Sequence, residues 1–182
     1  MFTLPNVLTL LRLALVPLVA YLLVRGQFQP ALAFFVLAGL TDLIDGLLAR
    51  RLNQRSVFGA WLDPAADKAL IVMMFTLLTA LGHIPHWLLL IVALRDILIV
   101  TAIADLYLAG KPPAIRPLMV SKATTAMQII YLAMVLAHLA FTTNFDMFVD
   151  VAGYLTAALT GLSFLAYFKV WLAYRRGTAA TN

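Results

Sequence analysis

Six long runs of apolar residues occupy most of this 182-residue chain and limit its possible folds. A membrane-crossing helix needs about 20 mainly apolar residues, and the runs approach or exceed that length between glycine-, proline- and polar-rich breaks. Hydrophobic residues make up 64% of the chain and charged residues 12%, whereas a soluble domain carries about 25% charged residues. The pattern excludes a water-soluble globule and predicts an all-α integral membrane protein, a bundle of six transmembrane helices at residues 7–25, 28–50, 61–82, 86–109, 119–141 and 147–174.

Six spans with short loops use the whole chain, so we expect residues 1–182 to form a single domain, with any chemistry on the spans or at their ends. The absence of cysteine excludes a disulfide framework, a thiolate zinc site and a cysteine nucleophile. The net charge of +5 fits basic loops beside an anionic membrane leaflet. Membrane lipids are therefore the expected partners, and nucleic acid is not.

The basic residues are distributed asymmetrically between the two ends of the predicted spans. Lysine and arginine accumulate in cytoplasmic loops, so a cytoplasmic N-terminus is the orientation that agrees best with the sequence. Arg25 alone then lies at the opposite ends, while the cytoplasmic ends carry Arg50, Arg51, Arg55, Lys111, Arg116, Arg175 and Arg176.

Half of the acidic residues fall in one short stretch. All eight are aspartate, and Asp42, Asp45, Asp63 and Asp67 lie within 26 residues of each other. Residues three or four apart share a helix face, and a short loop makes the second and third helices antiparallel, so the two pairs can face each other. Four such carboxylates repel one another unless cations lie between them. Oxygen ligands alone favour Mg²⁺ or Mn²⁺, and two such ions suit phosphate chemistry.

The cluster has other possible explanations. Asp63-Pro64 is typical of a helix start, with aspartate as the cap, and the acids can pair with nearby arginines. Intramembrane carboxylates also occur in ion-coupled transporters, although those tend to show repeats and broken helices. Aspartate-rich intramembrane prenyltransferases and a non-catalytic scaffold are two further alternatives. Against these, Gly46 and Ala49 leave space beside the acids, and Arg50 lies at the helix end where it can meet a phosphate.

The spacing of the cluster resembles the signature of the CDP-alcohol phosphotransferase family at every fixed position. It reads Asp42-x-x-Asp45-Gly46-x-x-Ala49-Arg50, then eight residues, then Gly59-x-x-x-Asp63-x-x-x-Asp67. The resemblance implies transfer of a phosphatidyl group from CDP-diacylglycerol to an alcohol, with release of CMP. It also implies an active site at the cytoplasmic ends of helices 2 and 3.

The same resemblance implies roles for individual residues. The four aspartates would hold two divalent cations, Mg²⁺ or Mn²⁺, and Asp67 would also be the base. Gly46, Ala49, Arg50 and Gly59 would line the nucleotide pocket. The opening Leu4-Pro5-Asn6 resembles bacterial phosphatidylglycerophosphate and cardiolipin synthases of this family. Asn6 and Arg12 are accordingly candidate contacts of the nucleotide or its phosphates, the alternative being a polar helix start.

A second polar set bears on the acceptor alcohol. Arg95 is a candidate acceptor-binding residue, or half of a local ion pair with Asp96, and Arg116 and Lys122 are candidates for an acceptor phosphate or ordinary loop charges. The Ser121-Lys122-x-x-Thr-x-x-Gln128 pattern resembles cardiolipin synthases, which use phosphatidylglycerol. Glycerol 3-phosphate is the alternative acceptor. The size and style of the sequence favour a bacterial inner membrane, with an organelle membrane as the alternative. The resemblance allows a homodimer without identifying an interface.

Overall fold

The computed structural model describes the backbone of residues 4–52, 57–109, 119–141 and 144–176, and within these ranges the side chains of 11–41, 68–109, 119–141 and 144–176. In those residues the chain forms six α-helices and no strand, as the apolar runs predict. They are α1 (Leu4–Val24), α2 (Phe28–Leu52), α3 (Val57–Ala80), α4 (His86–Leu108), α5 (Met119–Phe141) and α6 (Asp146–Arg175).

Two helices start three or four residues earlier than the apolar runs suggest. Helix α1 begins at Leu4 rather than residue 7, because Pro5 is well suited to a first helical turn. Helix α3 begins at Val57 rather than residue 61, so Gly59 lies in its first turn and Asp63 is its seventh residue. Asp63 therefore does not cap a helix, and the capping explanation for this aspartate is wrong.

Glycines end α1 and α3 at the predicted breaks. Gly26 and Gly82 have φ angles of 68° and 81°, in the left-handed region that glycine enters without steric cost. The Gly82 N–H donates to the Thr79 carbonyl at 3.0 Å and the His83 N–H to the Leu78 carbonyl at 2.8 Å. This paired capping motif satisfies the last carbonyls of α3, and equivalent bonds follow α1.

The chain divides into two compact units. The first consists of Met1–Ile84 and Leu132–Asp146, and the second of Pro85–Tyr131 and Met147–Asn182. Helix α5 thus contributes its first half to the second unit and its second half to the first. The expectation of a single domain over residues 1–182 stays a prediction.

Helix α1 is central to the first unit because it packs against both α2 and α3. Its buried residues recur at intervals of three and four, which places them on one helix face. The facing stripes of α2 and α3 follow the same rule. These stripes include Arg12, Leu15, Val19 and Leu22 on α1, Ala31, Phe35 and Ala38 on α2, and Leu70, Ile71, Met74 and Leu78 on α3.

The second unit is packed through small residues of α6. Ala152, Gly153, Thr156, Thr160 and Ser163 form its buried face, and small side chains let apolar helices approach closely. A β-carbon added at Gly153 would lie 3.3 Å from the Tyr131 ring of α5. The Thr124 hydroxyl of α5 donates to the Leu159 carbonyl of α6 at 3.1 Å. Helices α5 and α6 are therefore in close contact here.

Within the residues whose side chains are described, three helices are long and apolar enough to cross a membrane, namely α4, α5 and α6. Among the described residues, α1, α2 and α3 contribute the shorter apolar stretches Leu11–Val24, Phe28–Thr41 and Lys68–Ala80. The fold is accordingly that of a helical membrane protein. The sequence predicts six spans, which requires that α1, α2 and α3 also cross the membrane, and this count stays a prediction.

Candidate functional site

Both aspartate pairs lie on helices of the first unit. Asp42 and Asp45 are in the last three turns of α2, and Asp63 and Asp67 are in the first three turns of α3. At separations of three and four, the members of each pair share a helix face. The four side chains lie outside the described residues, so the predicted cation site is neither seen nor contradicted.

The other predicted nucleotide contacts are on the same elements. Gly46, Ala49 and Arg50 follow Asp45 along α2, Gly59 is near the start of α3, and Asn6 is the third residue of α1. The side chains at these positions also lie outside the described residues, and Arg116 lies outside them altogether. In the parts of the chain whose side chains are described, no three potential metal ligands lie together.

Arg12 of α1 is the largest fully buried side chain among the described residues, with 1% of its surface exposed. It lies on the face that α1 turns towards its neighbours, and those neighbours are the two aspartate-bearing helices. A buried guanidinium requires charged or polar partners. The first unit therefore encloses the charged guanidinium of Arg12. The sequence indicated this residue only as a candidate contact of the nucleotide or its phosphates.

The histidines of the first unit lie away from the aspartate-bearing helix ends. His83 follows the end of α3, about 20 Å along the helix from Asp67 at 1.5 Å per residue. Burial against neighbours such as the Phe28 ring, 5.4 Å away, lowers the pKa of His83. The His138 Nε2 lies 3.3 Å from Asp146 Oδ1. His138 is two residues before Ala140, whose carbonyl accepts a hydrogen bond from Gln29 Nε2 at the start of α2. The oxygen-only ligand set of the aspartate site stays a prediction.

Arg95 is the centre of a buried network in the second unit. Its Nε and Nη2 donate to the Ser163 hydroxyl at 3.2 and 2.7 Å, Nη2 also donates to the Ser121 hydroxyl at 2.6 Å, and Nη1 donates to Asp96 Oδ1 at 2.9 Å. The guanidinium lies 5.8 Å from the centre of the Tyr167 ring. One side chain thus connects α4, α5 and α6.

These contacts bear on whether Arg95 binds the acceptor or forms a local ion pair with Asp96. The pair with Asp96 is present, with Arg95 7% and Asp96 13% exposed. Most of the five donors of a guanidinium are engaged within the unit. Because Ser121 precedes Lys122, which is exposed, the network also fixes the first turn of α5 that carries Lys122. Sequence patterns indicated Arg95 and Ser121 but not Ser163, which is 68 residues away from Arg95.

A second polar contact of this unit was not anticipated. Asp105 of α4 accepts hydrogen bonds from Trp171 Nε1 at 2.9 Å and Arg175 Nε at 2.8 Å, and Arg175 Nη2 binds the other carboxylate oxygen. The partners are separated by 66 and 70 residues, so no local spacing could reveal them. Arg175, predicted only as a charge at a cytoplasmic helix end, is one half of an ion pair between α4 and α6.

Comparison with known proteins gives consistent matches over most of the chain. The sequence model of the CDP-alcohol phosphatidyltransferase family matches residues 2–162. A human protein named cardiolipin synthase (CMP-forming) is 34% identical over 183 residues, which cover 92% of this chain and 61% of the human protein. The chain therefore spans less than two thirds of that relative.

Two bacterial relatives match along nearly their full length. A Bacillus subtilis (strain 168) protein named CDP-diacylglycerol–glycerol-3-phosphate 3-phosphatidyltransferase is 32% identical over 192 residues, covering 96% of this chain and 98% of that protein. A Wigglesworthia glossinidia brevipalpis protein of the same name is 34% identical over 173 residues, covering 91% of this chain and 93% of that protein.

Proposed function

Because the chain belongs to the CDP-alcohol phosphatidyltransferase family, we propose that it transfers the phosphatidyl group of CDP-diacylglycerol to a glycerol-type alcohol and releases CMP. The observation that carries this proposal is the complete family signature, whose two aspartate pairs fall on the consecutive helices α2 and α3 at same-face spacings. The names of the human and Bacillus subtilis relatives describe reactions of this class.

The donor half of the site would be built from the first unit. Asp42, Asp45, Asp63 and Asp67 would hold two divalent cations, Mg²⁺ or Mn²⁺, on the pyrophosphate of the donor. Such ions, when bound, would neutralise phosphate charge and stabilise the attacking and leaving oxygens. Gly46, Ala49, Arg50, Gly59 and Asn6 would contact the nucleotide. The support is an all-carboxylate donor set at helical spacing, the ligand chemistry that hard cations prefer.

In the proposed reaction Asp67 accepts the proton of the acceptor hydroxyl. The freed oxygen forms a bond to the phosphorus of the phosphatidyl group, and the bond from that phosphorus to the CMP oxygen breaks. The electron pair leaves with CMP. A direct displacement is favoured over a covalent intermediate, since the chain has no cysteine and the histidines described in the first unit are at the other end of the helices.

Phosphatidylglycerol is the acceptor we propose, which would make the chain a cardiolipin synthase. The support is the Ser121-Lys122-x-x-Thr125-x-x-Gln128 pattern together with the human relative's name. Glycerol 3-phosphate is the second candidate, favoured by the names of the two bacterial relatives that match along nearly their whole length. Arg116, Lys122 and Arg95 would bind or position the acceptor.

The protein would lie in a bacterial inner membrane, crossing it six times with its N-terminus and active site in the cytoplasm. Helices α1, α2 and α3 have 21, 25 and 24 residues, enough for a crossing of about 20 residues. The distribution of arginine and lysine supports the orientation. A homodimer is compatible with this arrangement.

One assay tests both the reaction and the acceptor. The purified protein receives CDP-diacylglycerol with either phosphatidylglycerol or glycerol 3-phosphate, and CMP and the lipid product are identified. We expect cardiolipin from the first mixture, and no turnover in EDTA until Mg²⁺ or Mn²⁺ is restored. Phosphatidylglycerophosphate from the second mixture alone would reassign the acceptor. CMP release that persists in EDTA would refute the cation site.

A further inference from the structure

Helices α4 and α6 of the second unit border a cavity of about 310 Å³. Leu98 and Ala102 line it from α4, and the rings of Phe164, Phe168 and Trp171 line it from α6. These three rings follow one another along α6 with centroids 5.9 and 5.6 Å apart. The body of the groove is thus a narrow apolar slot with an aromatic wall.

The groove belongs to a surface that faces lipid. Both bordering helices are long and apolar enough to cross a membrane. Large apolar side chains next to it are exposed, such as Ile97 and Val100 on α4 and Leu165 on α6. On a membrane span, such side chains contact acyl chains rather than water. The groove is therefore open to the hydrocarbon of the bilayer.

One end of the groove is polar and lies beside two arginines at the end of α6. Asp105 lines the groove, and its carboxylate is hydrogen-bonded to Trp171 and paired with Arg175. Arg176 follows directly and is exposed. Two arginines against one carboxylate leave one positive charge where the apolar wall ends. Tryptophan and arginine at the end of a span are typical of the headgroup level of a bilayer.

We propose that the α4–α6 groove binds one anionic phospholipid of the surrounding bilayer, with an acyl chain along the aromatic wall and the headgroup at the arginine end. The apolar body matches a hydrocarbon chain, and the charge at its end matches a negative headgroup. Ala102 has a small side chain, which leaves room in the groove for the acyl chain. This site is distinct from the aspartate helices and does not depend on the proposed transfer reaction.

The test uses Trp171 as a reporter on the groove wall. The chain has three tryptophans, so Trp61→Phe with Trp87→Phe leaves Trp171 alone. This protein is placed in phosphatidylcholine vesicles containing increasing shares of phosphatidylserine with brominated chains, which quench tryptophan, or of equally brominated phosphatidylcholine. Neither lipid is a proposed substrate. We expect half-maximal quenching at an about fivefold lower share of phosphatidylserine, the effect of roughly one interfacial arginine.

Matched variants separate the groove from the general lipid surface. Ala102→Phe fills the groove and should remove the preference for phosphatidylserine, whereas Ala104→Phe makes the same change at an exposed position of α4 and should retain it. Arg176→Gln should remove the preference, and Arg25→Gln, between α1 and α2, should not. Ala102→Val should give a partial loss if the phenylalanine variant does not fold. Equal quenching by the two lipids, or equal behaviour of the variants at 102 and 104, would overturn the proposal.

Discussion

Asp67 and Asp150 provide a matched test of what a single carboxylate does in this chain. Asp67 belongs to the signature on α3, and Asp150 is an exposed residue of α6. Replacement by asparagine keeps the shape and removes the negative charge. For Asp67→Asn we expect CMP release to fall by at least about a hundredfold, the lower range for loss of a general base, while CDP-diacylglycerol still binds.

The control for this comparison is Asp150→Asn, which should leave CMP release within twofold of the parent protein. Turnover is measured by CMP release, and donor binding by equilibrium binding of labelled CDP-diacylglycerol. Near-normal turnover of Asp67→Asn would remove Asp67 from the base role. A loss of donor binding as large as the loss of turnover would assign it to holding the donor instead.

Arg95 allows a different residue-scale prediction, because its donors are engaged within the unit. Lysine keeps the charge but cannot reproduce the forked contacts to Ser163, Ser121 and Asp96. With about 1 kcal/mol for each buried hydrogen bond lost, Arg95→Lys should reduce the free energy of unfolding by about 2–3 kcal/mol. Arg25→Lys, at an exposed position, should change it by less than about 0.5 kcal/mol.

Denaturant unfolding in detergent measures the effect of Arg95→Lys, and acceptor kinetics extend the comparison. If Arg95 acts by positioning the turn that bears Lys122, Ser163→Ala should raise the acceptor KM as Arg95→Lys does, since both disrupt one network. A normal acceptor KM in Ser163→Ala with a raised one in Arg95→Lys would instead indicate direct contact of Arg95 with the acceptor.

At the scale of single residues, the sequence indicated which residues are candidates for chemistry better than it indicated which residues contact each other. The aspartate spacing and the Arg95-Asp96 pair are local patterns, so they are readable from the chain. The contacts of Asp105 with Trp171 and Arg175 join residues 66 and 70 positions apart, and only the packing of α4 on α6 creates them. Asp146 likewise finds His138 across the break between α5 and α6.

At the scale of helices, the apolar runs predicted all six elements, and the errors lie at their ends. Hydrophobicity marks where a helix is buried, whereas turns and capping mark where it stops. Gly82 ends α3 before the predicted residue 82 because its φ angle of 81° is not helical. The start of α3 was missed because Gly59, which was assigned to the break between two apolar runs, lies inside the first turn of the helix.

Two glycines of α6 permit a prediction about helix packing. A β-carbon at Gly153 meets the Tyr131 ring at 3.3 Å, whereas one at Gly161 meets nothing within 4 Å. Gly153→Leu should therefore force α5 and α6 apart and cost about 1–3 kcal/mol of unfolding free energy. Gly161→Leu should be neutral or stabilising by up to about 1 kcal/mol, since leucine is the better helix former.

Thermal unfolding of the two glycine variants in the same detergent provides the measurement. A lower melting temperature for Gly153→Leu alone is the expected result. Equal destabilisation by both substitutions would show that bulk anywhere on α6 is unfavourable, and that the contact with Tyr131 has no special part in joining the two helices.

At the scale of the whole molecule, the sequence predicts six membrane crossings, three more than the long apolar helices α4, α5 and α6 supply. Helix α5 runs between Ala109 and Asn144, both of which are exposed, so one crossing separates these two positions. Gln27 is exposed between α1 and α2 and reports on the crossing of α1. The arginine and lysine distribution predicts that Ala109 faces the cytoplasm and that Gln27 and Asn144 face the opposite side.

Because the natural chain contains no cysteine, single substitutions are sufficient to test this topology with a membrane-impermeant thiol reagent. Ala109→Cys should react only in inverted membrane vesicles, and Gln27→Cys and Asn144→Cys only in right-side-out ones. Leu132→Cys, at a position with 0% exposure, should react in neither and serves as the control. Reaction of Ala109→Cys and Asn144→Cys from one side would mean that α5 does not cross. A reversed pattern would refute the predicted orientation, in which the aspartate-bearing ends of α2 and α3 face the cytoplasm.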